Sequence, residues 1–247
     1  MIAPYPLLFR PILLEKVWGG RRLAQFGKQL PDGKQIGESW ELADMASTSA
    51  SGAGGGAAQS VIANGPRAGT TLHEAIATWR RDLLGDVALS KDGGFPLLVK
   101  FLDARENLSV QVHPSPAYAA AHEGANLKTE CWYILAAEPV DEKPAVIYKG
   151  IKPGVTRESV AKHIADGSVV NDLIAVPAIP GECHNLPSGT CHALGAGVLV
   201  AEVQTPSDTT FRVFDWGRTG RELHVRQALE CIEFGPAPVA AKLPPGK

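Results

Sequence analysis

The stretch Asn107-Leu-Ser-Val-Gln-Val-His-Pro114 alternates polar and apolar residues and then stops at a proline. In a strand, successive side chains point to opposite faces, so Ser109, Gln111 and His113 share one face and Leu108, Val110 and Val112 the other. An imidazole two residues from an amide can present two ligand atoms to one point, and a barrel strand would aim both inward. Taken alone, such a segment is more commonly a half-buried strand with one satisfied histidine. Other segments of the chain decide between the two.

Leu127-Lys-Thr-Glu-Cys-Trp-Tyr-Ile-Leu135 reads as a second strand, with Lys128, Glu130 and Trp132 on one face. Glu182-Cys-His-Asn-Leu186 reads as a third, turning at Pro187-Ser-Gly189 and returning as Thr190-Cys-His-Ala-Leu194, so that His192 is aimed back along the sheet. Gln111, His113, Glu130 and His192 together offer two imidazoles, one carboxylate and one amide oxygen. Zinc accepts such donors, and a catalytic site keeps a position open for water or substrate. Spread over three strands, the four meet only in a closed barrel. The expected fold is mainly β, a cupin-type double-stranded β-helix (jelly roll) with short helical insertions.

The rest of the chain is consistent with that frame. Gly19 and Gly20 mark a turn, and Trp40 and Leu42 alternate with Ser39 and Glu41 as on a strand. Residues 47–56 are nearly all Ser, Ala, Thr and Gly, the composition of a mobile surface loop. Thr71-Leu-His-Glu74 has the form of a capping box, and Leu72, Ile76, Trp79 and Leu83 follow at helical spacing. Phe95-Pro-Leu-Leu-Val-Lys-Phe-Leu102 is an apolar strand whose one charge, Lys100, must snorkel to water or meet an anion. Ser115 and Pro116 open a short helix that Gly124 stops, residues 156–167 and 168–176 form two short helical patterns, and 223–229 suit a closing helix. In Thr209-Thr-Phe-Arg-Val-Phe-Asp-Trp216, Thr210, Arg212 and Phe214 face one way. The expected organisation is an N-terminal β segment over 1–95, a metal-binding core over 96–234 with a helical insertion at 156–176, and a frayed tail over 235–247.

A chain of 247 residues with 45% hydrophobic content can bury a full core. A formal net charge of −2 and scattered lysines and arginines argue against nucleic acid as a partner. No segment approaches the ~20 apolar residues of a membrane span and the N-terminus lacks a signal-peptide pattern, so a cytoplasmic location is expected. The four cysteines, Cys131, Cys183, Cys191 and Cys231, include no C-x-x-C and read as reduced, mostly buried thiols.

Ser109-Val-Gln-Val-His-Pro, Lys128-Thr-Glu-Cys-Trp-Tyr, Pro187-Ser-Gly-Thr-Cys-His-Ala-Leu and Asp208-Thr-Thr-Phe-Arg-Val-Phe-Asp-Trp resemble the signature segments of type I mannose-6-phosphate isomerases in their short bacterial form. Val17-Trp-Gly-Gly, Gly37-Glu-Ser-Trp-Glu and Arg221-Glu-Leu-His extend the resemblance over most of residues 5–233. It implies that Gln111, His113, Glu130 and His192 bind one zinc ion per chain and that Arg212 is catalytic. Ser109, Lys100 and Lys128 would line the substrate and phosphate pocket, with Glu202 and Asp208 near the sugar. The implied reaction interconverts mannose 6-phosphate and fructose 6-phosphate through a cis-enediol, which needs a base, an oxyanion stabiliser and a phosphate anchor; Glu202 is the candidate base.

Two departures stand out. Short members of the resembling family usually continue into a further small β-domain, whereas this chain stops shortly after Glu233, and His184 occupies a position where an apolar residue is expected. A strand histidine of that kind usually has a structural partner rather than a metal. The competing readings are a non-catalytic sugar-binding cupin with a structural metal and a metal-dependent oxygenase. The second would more naturally use iron with two histidines and a carboxylate, without the glutamine.

Overall fold

In the computed structural model, which describes residues 3–49 and 53–242, two antiparallel sheets face each other. Their strands, in chain order, are β1 (Ile12–Gly20), β2 (Ile36–Leu42), β3 (Leu98–Asp103), β4 (Val110–Val112), β5 (Glu130–Ala137), β6 (Val146–Ile151), β7 (Leu173–Pro177), β8 (Glu182–Leu186), β9 (His192–Leu194), β10 (Val198–Gln204), β11 (Phe211–Phe214) and β12 (Ala241–Lys242). One sheet has seven strands in the order β12-β8-β5-β10-β3-β2-β1, the other five in the order β7-β6-β9-β4-β11. This is the expected jelly roll. Between the sheets, Leu102, Trp132, Ile134, Leu186 and Val200 from the larger meet Ile147 and Leu194 from the smaller, and a fully buried aliphatic side chain contributes about 1.5–3 kcal/mol.

The smaller sheet is covered on its outer face too. Helices α3 (Arg157–Asp166) and α4 (Val225–Cys231) place Val160, Ile164, Ala228 and Cys231 against Val110, Val112 and Val213. Hence the apolar face of the Asn107–Pro114 stretch is turned outward to the helices and its polar face inward; Leu108, ahead of the strand, packs with the inner core instead. Helix α1 (Leu72–Trp79) opens on the expected capping box, with Glu74 N donating to Thr71 Oγ1 and Thr71 N to Glu74 Oε2, and α2 (Pro116–Ala121) is capped by Ser115. None of the helices is long and apolar enough to cross a membrane, among the described residues.

Several local expectations give way to the tertiary structure. Strands β8 and β9 lie in different sheets, so the turn at 187–191 is a corner between sheets and not a hairpin within one. Of the two helical patterns expected over 156–176, the second is a single 3-10 turn, Val169–Asp172, followed by β7, which pairs with β6 and buries Leu173. Gly19 and Gly20 are not a turn but the end of β1, where a Cβ on Gly19 would lie 2.4 Å from the backbone nitrogen of Gly37. The α1 helix stops at Trp79, because Arg80 takes a φ of 45°, and Leu83 belongs to a separate turn, Arg81–Leu84. The tail is held as far as β12, an edge strand on β8, while 243–247 lie outside the described residues. The expected mobile loop includes 50–52, also outside them; at its near end Ser49 donates through N and Oγ to Asp208 Oδ2, at 2.7 and 2.9 Å.

Candidate metal and substrate site

Cross-strand register builds the site as rows of inward-facing side chains. On the larger sheet one row runs Trp40, Lys100, Glu202, Trp132, His184 across β2, β3, β10, β5 and β8. The row beside it includes Leu98, Gln204, Glu130 and Leu186. On the smaller sheet the matching row is Lys149, His192, Gln111, Arg212. A bulge between Arg212 and Phe214 breaks the expected alternation, so Phe214 packs outward with the helix-covered cluster while Arg212 still faces inward.

His113 and His192 are both buried, and their tautomers follow from their neighbours. The Thr209 carbonyl lies 2.9 Å from His113 Nδ1 and the Thr190 carbonyl 2.8 Å from His192 Nδ1. A carbonyl only accepts, so each Nδ1 carries its proton and each Nε2 is left with a lone pair. Burial, reinforced for His113 by the Lys128 charge, keeps both rings neutral, His113 down to about 3. The two Nε2 atoms face the Glu130 carboxylate, 3.0 Å from His113 to Oε1 and 3.5 Å from His192 to Oε2. Burial opposes the Glu130 charge, but the Lys128 ammonium beside it outweighs burial and holds the carboxyl well below the usual range.

Three acceptors converging in a buried place repel one another unless a cation sits among them. Lys128 does so in part, with Nζ 2.8 Å from Glu130 Oε1 and 3.3 Å from His113 Nε2. Glu130 Oε2 nevertheless has no hydrogen-bond partner. Gln111 reaches the cluster with Nε2 3.3 Å from His192 Nε2, and half a turn of the amide presents its oxygen instead. Donors arranged tetrahedrally about zinc stand roughly 3.3 Å apart, which these separations bracket, and the donor set of two imidazoles, a carboxylate and an amide suits that ion. The residues present therefore fit a metal.

Above this cluster opens a cavity of roughly 270 Å³, lined among others by Ser109, Lys100, Lys128, Glu202, Asp208 and Arg212. The structure thus brings every sequence-selected residue to one place, with His113 and His192 beneath the cavity floor. Glu202 accepts from the Trp132 indole at 2.8 Å and pairs with Lys100 at 3.2 Å; burial, then the Glu130 charge, raises its carboxyl above the ordinary range. Lys100 also lies 3.7 Å from Glu38. Burial pushes Glu38 up, yet Lys16 and Lys100 beside it and the Trp40 indole bring it down to about 2. Arg212 donates to the Glu222 carbonyl at 2.7 Å, has no carboxylate partner within 4 Å among the described residues, and leaves Nε unpaired in a buried position. The two aspartates of its own segment, with which a strand arginine could form a merely structural pair, are engaged elsewhere: Asp215 by Arg218 and Arg221, Asp208 by Ser49.

Over residues 8–130 the chain matches the phosphomannose isomerase type I catalytic domain. It is 39% identical over 239 residues to the Bacillus subtilis mannose-6-phosphate isomerase ManA, spanning 94% of this chain and 70% of that one. The chain belongs to the type I mannose-6-phosphate isomerase family. A crystal structure of the family from Bacillus subtilis superposes with a TM-score of 0.77 at 35% identity, over 92% of this chain and 68% of that one. A zinc-bound mannose 6-phosphate isomerase, only 18% identical, shares the fold with a TM-score of 0.66 over 94% of this chain and 75% of its own.

Sequence reasoning had not singled out Glu38 or Gln204 for the site. Glu38 shares its face with Trp40 by strand alternation, a signal present in Gly37-Glu-Ser-Trp. Gln204 lies directly across from Glu130, and its Nε2 donates to the carbonyls of Thr205 and Ser207, clamping the turn that carries Asp208 and Thr209. His184, buried one row position beyond Trp132, stands outside the metal cluster, with Nε2 3.7 Å from Glu182 and neither ring nitrogen hydrogen-bonded.

Proposed function

We propose that the chain interconverts mannose 6-phosphate and fructose 6-phosphate through a cis-enediol, with one zinc ion held by Gln111, His113, Glu130 and His192. The observation that carries the reading is the pair of imidazoles, each anchored at Nδ1 by a backbone carbonyl, facing a buried carboxylate with an orphaned oxygen. The relatives are named for mannose 6-phosphate, and moving a proton between its C1 and C2 gives fructose 6-phosphate. When bound, zinc supplies Lewis-acid polarisation of a substrate oxygen beside the carbon that loses its proton.

The chain's own groups do the rest. Glu202 takes the proton moving between C1 and C2: it lines the cavity, the Trp132 indole fixes one of its oxygens, and its raised proton affinity suits a base. Arg212, on the opposite wall and without a carboxylate of its own, stabilises the negative oxygen of the enediolate. Lys100 and Lys128, expected as phosphate anchors, are ion-paired to buried carboxylates, and so contribute to phosphate binding through the charge of the whole wall. That wall carries five cationic side chains and five carboxylates, a balance that a dication and a dianionic phosphate complete. Ser109 and Asp208 contact the sugar or its phosphate from the same wall.

Metal analysis of the purified protein, combined with a coupled assay for fructose 6-phosphate formed from mannose 6-phosphate, tests this. One zinc per chain with turnover that chelation abolishes and zinc restores is expected. A folded, zinc-loaded chain without turnover refutes the catalytic reading and leaves a sugar-binding cupin.

A further inference from the structure

The outer face of the seven-stranded sheet carries a feature that metal and substrate do not use. Glu130 and Trp132 point inward from β5, so Cys131 between them points outward. On the neighbouring strand β8, Glu182 and His184 point inward and Cys183 outward. The register pairs Cys131 with Asn185 and Cys183 with Tyr133, which makes the two cysteines diagonal neighbours on one face. Their sulfurs lie 2.8 Å apart, both side chains are half-exposed, and neither is in a disulfide. The remaining cysteines, Cys191 and Cys231, are fully buried in the helix-covered cluster and far from reagents.

We propose that Cys131 and Cys183 form a reversible modification site, oxidised to an intramolecular disulfide by small-molecule disulfides such as oxidised glutathione. One protein sulfur, as thiolate, attacks a sulfur of the glutathione disulfide; the glutathione S–S bond breaks, one glutathione thiolate leaves and a mixed disulfide forms. The second protein sulfur attacks the first, expelling the other glutathione thiolate. Two cysteine protons end on two released glutathione thiols, and two electrons pass from the protein to the reagent. The sulfurs need only close from contact to the ~2.05 Å bond, on strands already hydrogen-bonded to each other. The link is read at the active site, because drawing the Cys131 sulfur toward Cys183 tilts the stretch of β5 that holds Glu130 and the Trp132 indole bonded to Glu202.

The full zinc-loaded chain is incubated with oxidised glutathione, trapped with N-ethylmaleimide and mapped by mass spectrometry, and its turnover is assayed before and after dithiothreitol. The expected result is a peptide pair linked through Cys131 and Cys183, a mass lower by two hydrogen atoms, and unmodified Cys191 and Cys231. Turnover falls about tenfold, as misplacement of catalytic groups by fractions of an ångström does, and returns on reduction. The variants C131S and C183S form no such link and keep their turnover under the same oxidant. Four free thiols after treatment, or a glutathione adduct that never resolves into the link, overturns the site. A complete link with parental turnover overturns its coupling to the active site.

Discussion

Replacing Lys128 by methionine is expected to tighten zinc binding, because its ammonium bonds the same atoms that a metal would use. Its Nζ bonds both Glu130 Oε1 and His113 Nε2, and the side chain is only 6% exposed. On metal binding those contacts are lost and a repulsion is added. At about 4 Å and an effective dielectric near 20, a unit charge pair interacts by about 4 kcal/mol, so a dication sets a ceiling of about 8. The four-carbon stem lets the ammonium swing toward the cavity, and if a quarter of the repulsion survives, removing it strengthens zinc binding by about 2 kcal/mol, roughly thirtyfold. The measurement is a competition titration of metal-free parent and Lys128→Met against a chromophoric chelator at pH 8, with circular dichroism as a check on folding. Unchanged or weaker affinity in a folded variant refutes the claim that ammonium and metal compete for one place. Turnover falls in the same variant, because the charge balance of the cavity wall is lost.

Arg212→Ala is expected to lower kcat roughly 10²-fold or more with KM and zinc content nearly unchanged, since its guanidinium acts on charge that develops in the transition state; near-parental turnover in a folded, zinc-loaded variant removes it from the mechanism. His113 gives the metal-free protein a pH dependence: burial depresses its folded-state value to about 3, so it adds nothing above the unfolded value near 6.5 and stability is lost as pH falls between the two. The loss is about 1.4 kcal/mol per pH unit at most, and chemical denaturation across that window should show a slope shallower in His113→Gln than in the parent by up to that amount, what remains coming from His192, which burial also depresses. Gln204→Leu leaves the Ser207 carbonyl without its donor and the Thr205 carbonyl with only the Ser207 N–H, and a cost of about 1–3 kcal/mol in stability together with weaker zinc binding is expected; stability loss with parental zinc affinity would make the residue merely structural.

How far the site was legible depended on what strand periodicity can and cannot carry. A period of two separates faces, so Gln111 and His113, Lys128 and Glu130, and His192 each emerged on the correct side of their strands. It says nothing about which sheet a strand joins, and this is why β8 and β9 read as one hairpin: the corner at 187–191 has ordinary turn residues, and only the pairing of β8 with β5 and of β9 with β4 separates them. Residues 168–176 read as helix because so short a run after a hydroxyl cap holds no decisive period, and pairing of Leu173–Pro177 with β6 decides the matter. The partners of Lys100 were equally invisible, since Glu202 and Glu38 approach it from strands more than fifty residues away in sequence on either side, whereas Lys128 meets Glu130, two residues along on the same face of its own strand. A charge flanked by Val99 and Phe101 called for water or an anion, and only the fold shows that it meets two carboxylates.

On the proposed function, the same register couples the metal to the substrate. The turn after β10 is clamped by Gln204, whose backbone sits opposite Glu130; four residues further along, Asp208 lines the cavity and holds Ser49, and the next carbonyl, that of Thr209, fixes the proton on His113. A shift in this turn that moved Asp208 would therefore also rotate His113 Nε2 relative to Glu130. His192 has no such link: its Nδ1 proton is held by Thr190, in the corner between the sheets, two residues away on its own strand's approach. One imidazole is thus tied to the substrate wall and the other to the scaffold. A substrate that contacts Asp208 as proposed would have a direct route to one donor of the proposed metal, through a turn held at both ends by hydrogen bonds and not by packing alone.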